Sequence, residues 1–273
     1  MIEVKTKESM DIFDSTGFDL HNGDTNIALD YMVTVFLRCL DIPNAFKGGY
    51  MLTKLLGGDS RATRDIDFSI QNKEAYESIK NVLEGIANKF LDVGIIDDYN
   101  VKETISETSS GGITFYSEGR LVLGIDIGLH DVMYGTQNYN LNVGNVKAFS
   151  VERMLSDKLL AILSRKRFRR TKDLYDFYII TSHFDVDYKE LVNCIDRREN
   201  YDKSVWNNIP FSDTVLVEYL KAWKKLTVTS SLTGEEISKP SFSDCINRFN
   251  KFALLIKSGC PMNTWLADER VWI

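Results

Sequence analysis

Apolar residues recur at helical spacing across residues 26–40, where Ile27, Ala28, Tyr31, Met32, Val35, Phe36 and Cys39 form one stripe. This predicts a helix with a single buried face. Pro43 stops it, and Gly48-Gly49 ahead of the apolar run Met51-Leu52-Thr53-Lys54-Leu55-Leu56 reads as a turn opening a short helix. The period drops to two in Asp65-Ile66-Asp67-Phe68-Ser69-Ile70, which predicts a half-buried strand. It returns to about 3.6 over residues 73–93 through Tyr76, Ile79, Val82, Leu83, Ile86, Phe90 and Leu91. Short alternating stretches at 101–105, 112–116, 121–129 and 141–148, separated by glycines and asparagines, predict the strands of a mixed sheet.

At Ser150 the pattern changes for good. Val151, Met154, Leu155, Leu159, Ile162 and Leu163 fall at helical spacing, with Ser150 as N-cap and Glu152 in the first turn. Helical segments follow at 173–181, 188–196, 213–226 and 242–257, and no further strand is predicted. The expected architecture is α+β, with an α/β domain over residues 1–149 and a helical domain over residues 150–273.

Composition narrows the class. The 273 residues are 44% hydrophobic and 26% charged, which excludes disordered and fibrous chains. A net charge of -6 excludes a generic polyanion binder, so any nucleic-acid contact must come from a local patch. Cys39, Cys194, Cys245 and Cys260 stand far apart with no histidine at ligand spacing, against both a disulfide framework and structural zinc. No apolar run approaches the length of a membrane span, and the expectation is a soluble cytoplasmic protein.

The chemistry begins on the period-two strand. Asp65 and Asp67 share one face while Ile66, Phe68 and Ile70 share the other. Two adjacent carboxylates repel unless a cation sits between them, and hard oxygen ligands suit Mg²⁺. An exposed strand face with two solvated aspartates would carry the same motif. In Leu121-Val122-Leu123-Gly124-Ile125-Asp126-Ile127-Gly128-Leu129, Asp126 is flanked on its own face by Gly124 and Gly128, which leaves space above it. If the two strands are neighbours, Asp65, Asp67 and Asp126 form a carboxylate triad of the kind that holds two metal ions for phosphoryl or nucleotidyl transfer. The Gly48-Gly49 turn could cradle phosphates at the helix start, with Arg61, Thr63 and Arg64 between it and the acidic strand.

A basic patch follows: Arg153, Lys158, Arg165, Lys166, Arg167, Arg169, Arg170 and Lys172. Lys158 and Arg165, one heptad apart, are expected on one helix face. Thr171 is expected to cap the next helix, which places Asp173 in its first turn and Asp176 one turn on, where it could pair with an arginine. His21, His130 and His183 show no spacing that demands a catalytic role. His130-Asp131, just past the Asp126 strand, is the histidine to watch.

The ordered strings Phe46-Lys47-Gly48-Gly49-Tyr50, Arg61-Ala62-Thr63-Arg64-Asp65-Ile66-Asp67-Phe68, Ile125-Asp126-Ile127-Gly128, and Lys158 followed by Arg165 and Arg170-Thr171-Lys172-Asp173-Leu174-Tyr175-Asp176 resemble the AbiEii/AbiGii toxin family, over residues 26–181. The resemblance implies a DNA polymerase β-like nucleotidyltransferase domain followed by a helical domain. It also implies a Mg²⁺-dependent transfer of a nucleoside monophosphate from an NTP to an acceptor such as tRNA, with pyrophosphate leaving, in a toxin–antitoxin or phage-defence system with a cognate antitoxin. By position, Asp65, Asp67 and Asp126 would hold the metal. Gly48, Gly49, Tyr50, Arg64, Lys158 and Arg165 would bind the nucleotide, with Lys158 also catalytic. Asp173 or Asp176 would act as a base or as an orienter of the basic residues. Tyr50 departs from the small hydroxyl residue common after the glycine pair. A small-molecule nucleotidyltransferase of the antibiotic-modifying type, or a non-catalytic nucleotide- or RNA-binding module of the same fold, are the alternative readings.

Overall fold

A computed structural model describes residue 20 and residues 25–39, 42–106, 109–164, 170–198, 201–259 and 262–273. The chain divides into two compact units: Met1–Gly57 with Ala62–Phe149, and Gly58–Arg61 with Ser150–Ile273. Among the described residues no helix is long and apolar enough to cross a membrane.

The first unit runs α1 (Thr25–Cys39), β1 (Asn44–Lys47), α2 (Gly48–Leu56), β2 (Asp65–Ile70), α3 (Tyr76–Asp92), β3 (Asp98–Lys102), β4 (Gly111–Ser117), β5 (Arg120–Leu129), β6 (Thr136–Leu141) and β7 (Gly144–Phe149). Its sheet has the order β3-β4-β5-β2-β1-β7-β6. The β2–β5 and β1–β7 pairs are parallel and the others antiparallel, so the sheet is mixed. Alternation sends Phe46, Ile66, Phe68, Ile125 and Ile127 into the core. There Phe68 lies edge-on to Phe46 at 4.9 Å and stacks on Phe36 of α1 at 5.4 Å, while Phe115 of β4 meets Phe90 of α3 at 5.6 Å. Aromatic pairs at these separations add to the area they bury.

Two strands differ from the sequence expectation. The stretch read as a strand at 141–148 corresponds to β7, which is the second arm of a hairpin whose first arm, β6, is not expected. Its first arm escapes notice because Gln137, Asn138 and Asn140 are polar on both faces and give no alternation. The strand expected at 101–105 lies at Asp98–Lys102 instead.

The second unit comprises α4 (Val151–Leu163), α5 (Thr171–His183), β8 (Val186–Asp187), α6 (Tyr188–Asp196), α7 (Asp213–Lys225), α8 (Phe242–Ser258), β9 (Thr264–Leu266) and β10 (Val271–Trp272). Ser150 caps α4 by accepting from the Arg153 N–H. Phe177 of α5 packs edge-on against Phe249 and Phe252 of α8, and Phe252 in turn meets Trp265 and Trp272. The strands do not end at Ser150: β8, β9 and β10 form a small antiparallel sheet, too short to leave a periodic signal.

Candidate active site

The sheet register decides where the carboxylates go. In the parallel β2–β5 pair Asp65 is opposite Gly124 and Asp67 is opposite Asp126, so all three aspartates stand on one face. Ile66 and Phe68 pair with Ile125 and Ile127 on the buried face. Asp126 is ringed by glycine: Gly124 and Gly128 along its strand and Gly112 across β4. Asp126 is 53% exposed, and at Gly124 beside it an added Cβ would meet nothing closer than 3.6 Å.

Each carboxylate is held by a neighbour. The Thr63 hydroxyl donates to Asp65 Oδ1 at 2.5 Å. Lys102 Nζ, at the end of β3, donates to Asp126 Oδ1 at 2.9 Å, and Ser110 Oγ donates to the same oxygen at 3.2 Å. Asp67 lies against Gly48, where an added Cβ would fall 1.9 Å from Asp67 Oδ2. Gly48 also adopts φ +69°, so the β1-to-α2 turn needs glycine twice over. At Gly49 an added Cβ would come within 2.8 Å of Thr63 Oγ1. The two glycines thus let the start of α2, whose first N–H groups have no intrahelical acceptor, approach the acidic strand.

The three carboxylates share a face, but no three His, Cys, Asp or Glu side chains among the described residues are already gathered at metal-ligand spacing. Asp126 is turned toward Lys102 instead. The donor set nevertheless fits a hard divalent cation: carboxylate oxygens on one cleared face, two of them from directly paired residues. A lysine at one member stands where positive charge is wanted.

Beside this face, Lys47 pairs with Asp67 across β1 and β2. Lys47 Nζ and His130 Nε2 lie 3.7 and 2.8 Å from where a Gly128 Cβ would stand, so the space left by that glycine is filled by two nitrogenous side chains.

Tyr50 and Arg64 are placed differently from the sequence expectation. Tyr50 is buried, and its hydroxyl donates to Asp30 Oδ1 of α1 at 2.9 Å. Burial first, and then the Asp30 carboxylate, push the phenol's pKa well above its ordinary value. The hydroxyl introduced at this position is spent on Asp30. Arg64 lines a cavity of about 260 Å³ with Thr25, Glu118, Arg120 and Val122, and none of the three aspartates lines it.

The second unit carries a different group of charges. Asp173 and Asp176 are three residues apart on α5 and so share a face. Lys158 of α4 reaches both, at 2.9 Å to Asp173 Oδ1 and 2.8 Å to Asp176 Oδ2. Arg61 grips Asp176 with two bonds, Nε to Oδ1 at 2.8 Å and Nη2 to Oδ2 at 3.0 Å. Burial works against the Asp176 charge, but Lys158 and Arg61 outweigh it and hold this carboxyl below the usual carboxylate range. Burial likewise opposes the Lys158 ammonium, and Asp176 and Asp173 overcome it, raising its pKa. A carboxylate saturated in this way orients cations and does not take up protons.

Thr171 is not the N-cap of α5 but its first residue; Arg170 occupies the cap position without a side-chain bond. Arg165, expected beside Lys158, lies outside the described residues. Arg61, Thr63 and Lys102 are the residues whose functional contacts the sequence does not single out. The first two sit inside the string that leads into Asp65-Ile66-Asp67, whereas nothing local signals Lys102.

Known proteins share both the sequence pattern and the fold. The sequence matches the family described as "Nucleotidyl transferase AbiEii toxin, Type IV TA system" over residues 37–247. Among curated proteins none matches. The fold is similar to that of MenT4, a nucleotidyltransferase toxin of Mycobacterium tuberculosis H37Rv, at 14% identity and a TM-score of 0.51, covering 84% of this chain and 82% of that one. More distant are an antigenic nucleotidyltransferase-like protein from Paracoccidioides brasiliensis (18% identity, TM-score 0.43, 73% and 93% covered) and the antibiotic-resistance factor ANT(2'')-Ia (13%, 0.42, 63% and 90%). With the family match spanning well over half of its length, the chain belongs to the AbiEii family of nucleotidyltransferase toxins.

Proposed function

We propose that the protein transfers a nucleoside monophosphate from an NTP to an RNA acceptor, tRNA among the candidates, with Mg²⁺ and with pyrophosphate as leaving group. The observation that carries this reading is the register of β2 and β5, with Asp67 beside Asp126 and Asp65 on the same glycine-cleared face. Asp65, Asp67 and Asp126 would hold the metal, which when bound supplies Lewis-acid polarisation of the phosphoryl group and lowers the pKa of the attacking hydroxyl. The acceptor oxygen bonds to the α-phosphorus as the bond from that phosphorus to the bridging oxygen breaks; the electron pair leaves on pyrophosphate and the hydroxyl proton passes to water. Gly48 and Gly49 would present backbone N–H groups to phosphate oxygens. The family resemblance gives Lys158 the role of steadying the triphosphate, and Asp173 and Asp176 hold its ammonium in place. Ion pairs of this kind fix a cation in place. Thr63 fixes the Asp65 carboxylate. RNA is the proposed acceptor because the family resemblance implies it and because basic residues concentrate at 153–172 in a chain of net charge -6. A cognate antitoxin is the expected partner.

The purified protein, incubated with each labelled NTP, Mg²⁺ and total RNA, should label RNA and release pyrophosphate, and Asp65→Asn should do neither. Labelling of small hydroxylated acceptors but never RNA would assign the small-molecule alternative. NTP binding without pyrophosphate release under any condition would remove the enzymatic reading.

A further inference from the structure

The second unit contains a cavity of about 350 Å³ that the transfer chemistry does not use. It lies where α5, α8 and the turn between β9 and β10 meet. Its volume falls in the range of small-ligand sites. Arg248 and Lys251 come from α8 and Arg270 from the turn, with Tyr178 and Trp265 as aromatic walls. Asp244 and Asn247 complete the lining, leaving an excess of two positive charges. Asp268 and Glu269, in the same turn as Arg270, do not line it.

Arg248 is the unusual member. Its side chain is buried, with the residue only 7% exposed, and the guanidinium carbon stands 3.8 Å from the centre of the Tyr178 ring. Nη1 donates to the Tyr178 carbonyl at 3.2 Å and to Ser182 Oγ. Among the described residues, Nε and Nη2 have no acceptor and no carboxylate lies within salt-bridge distance of the guanidinium. Asp244, one turn back on α8, accepts from Ser241 Oγ at 2.7 Å instead. Burial lowers the Arg248 pKa, as expected of a cation taken from water without an anion. Burying such a charge is costly unless it is answered. Here the stacked ring and two hydrogen bonds hold the guanidinium plane in place while three N–H donors remain. Lys251 and Arg270 are both exposed and form no ion pair among the described residues. Three cations, one of them pre-oriented with unspent donors, converge on one small cavity.

We propose that this cavity is a phosphate-binding site. Arg248 would be its fixed fork, Lys251 and Arg270 its outer charges, and Tyr178 and Trp265 the walls against which an attached base or ribose lies. Phosphate fits because guanidinium forks match its oxygens with two parallel bonds, and because an excess of two charges matches a dianion or two backbone phosphates. The phosphate comes from a nucleic-acid backbone or from a free nucleotide. Assignment to the acceptor strand rests on the RNA reading above, whereas affinity for phosphate does not.

Calorimetric titration of the full chain with inorganic phosphate, AMP and a 5′-phosphorylated RNA trimer tests this, alongside the Lys251→Ala/Arg270→Ala double variant. Both positions are exposed, so the variant should keep the melting temperature. The wild type should bind phosphorylated probes, and the double variant at least tenfold more weakly. For RNA, the slope of log affinity against log salt should shrink by about 0.7 for each phosphate that the variant no longer neutralises. Asp65→Asn, in which transfer is abolished, should bind all probes as the wild type does, which separates this site from the transfer reaction. Binding confined to the RNA trimer would identify a backbone site, and binding of AMP as well a nucleotide site. Equal binding of adenosine and AMP, undiminished binding in the double variant, or tighter binding of a Glu-rich peptide than of any phosphate would overturn the proposal.

Discussion

Asp126 in the first unit and Asp176 in the second each face a lysine at nearly the same distance, 2.9 Å from Lys102 and 2.8 Å from Lys158, yet the two pairs do different work. Asp126 is 53% exposed and Asp176 is 3% exposed. In high dielectric an exposed pair is worth about 0–1 kcal/mol and exchanges readily with solvent or another cation. In the interior, removing one partner leaves an unanswered charge and is strongly destabilising. A carboxylate proposed to take up a metal, as Asp126 is, must be able to leave its resident partner. One meant to hold cations in place must not.

The steepest test of this contrast lies on the open face. Asp65→Asn or Asp67→Asn should cut transfer by about a thousandfold or more, since metal-borne charge stabilisation is worth several kcal/mol. For exposed Asp65 the change in stability should stay within about 0.5 kcal/mol. Rates from labelled NTP and a thermal melt check both halves, and an Asp65→Asn protein that melts early would erase the distinction between the units.

Asp176→Asn should do the reverse in emphasis, costing about 3–5 kcal/mol of stability as Lys158 and Arg61 lose their buried counter-charge. Its pH signature is specific. The folded pKa of Asp176 lies below the unfolded one, so its contribution is present above the unfolded value and disappears as pH falls through the folded value. Wild type should therefore lose stability on acidification more steeply than the variant. The Lys158 pKa is raised, so its contribution is complete below the unfolded value and fades only as pH climbs through the folded one, far above neutrality. Urea titrations at several acidic pH values would read the difference.

Gly48→Ala should displace the Asp67 carboxylate and lower transfer by about a hundredfold, the usual result of misplacing a group by an ångström. The accompanying cost in stability should be about 1–2 kcal/mol for a side chain in the left-handed region. Lys102→Ala should have the mildest effect and the opposite sign. With its lysine gone, Asp126 should bind a divalent ion a few-fold more tightly, measurable by Mn²⁺ titration followed by electron paramagnetic resonance.

The face shared by Asp65 and Asp67 is legible in the sequence because period-two alternation fixes it, and the glycines around Asp126 mark its strand in the same way. The register that sets Asp67 beside Asp126 is not, since pairing depends on contacts about sixty residues apart in the chain. Lys102 is invisible for that reason: its strand starts ahead of the alternating stretch, and only the β3-β4-β5 order brings it to Asp126. The Asp173 and Asp176 face follows from helical spacing, as does the expectation of an arginine partner for Asp176. The arginine that answers is Arg61, 115 residues away, which no local pattern connects to it. Tyr50 looks like a change at a phosphate-binding position, and only the Asp30 contact shows that its hydroxyl belongs to the core.

The short segment Gly58–Arg61 belongs to the second unit although the chain on both sides of it belongs to the first. Any attempt to express residues 150–273 alone would omit it. Lys158 answers both Asp173 and Asp176, Arg170 adds a longer contact to Asp173, and Arg61 grips Asp176 alone; without Arg61 the fragment would leave the buried Asp176 carboxylate with Lys158 as its one cation. Dissection of this protein therefore calls for adding the missing arginine back, as a grafted tetrapeptide or a permuted chain, before the isolated helical portion can be judged for folding.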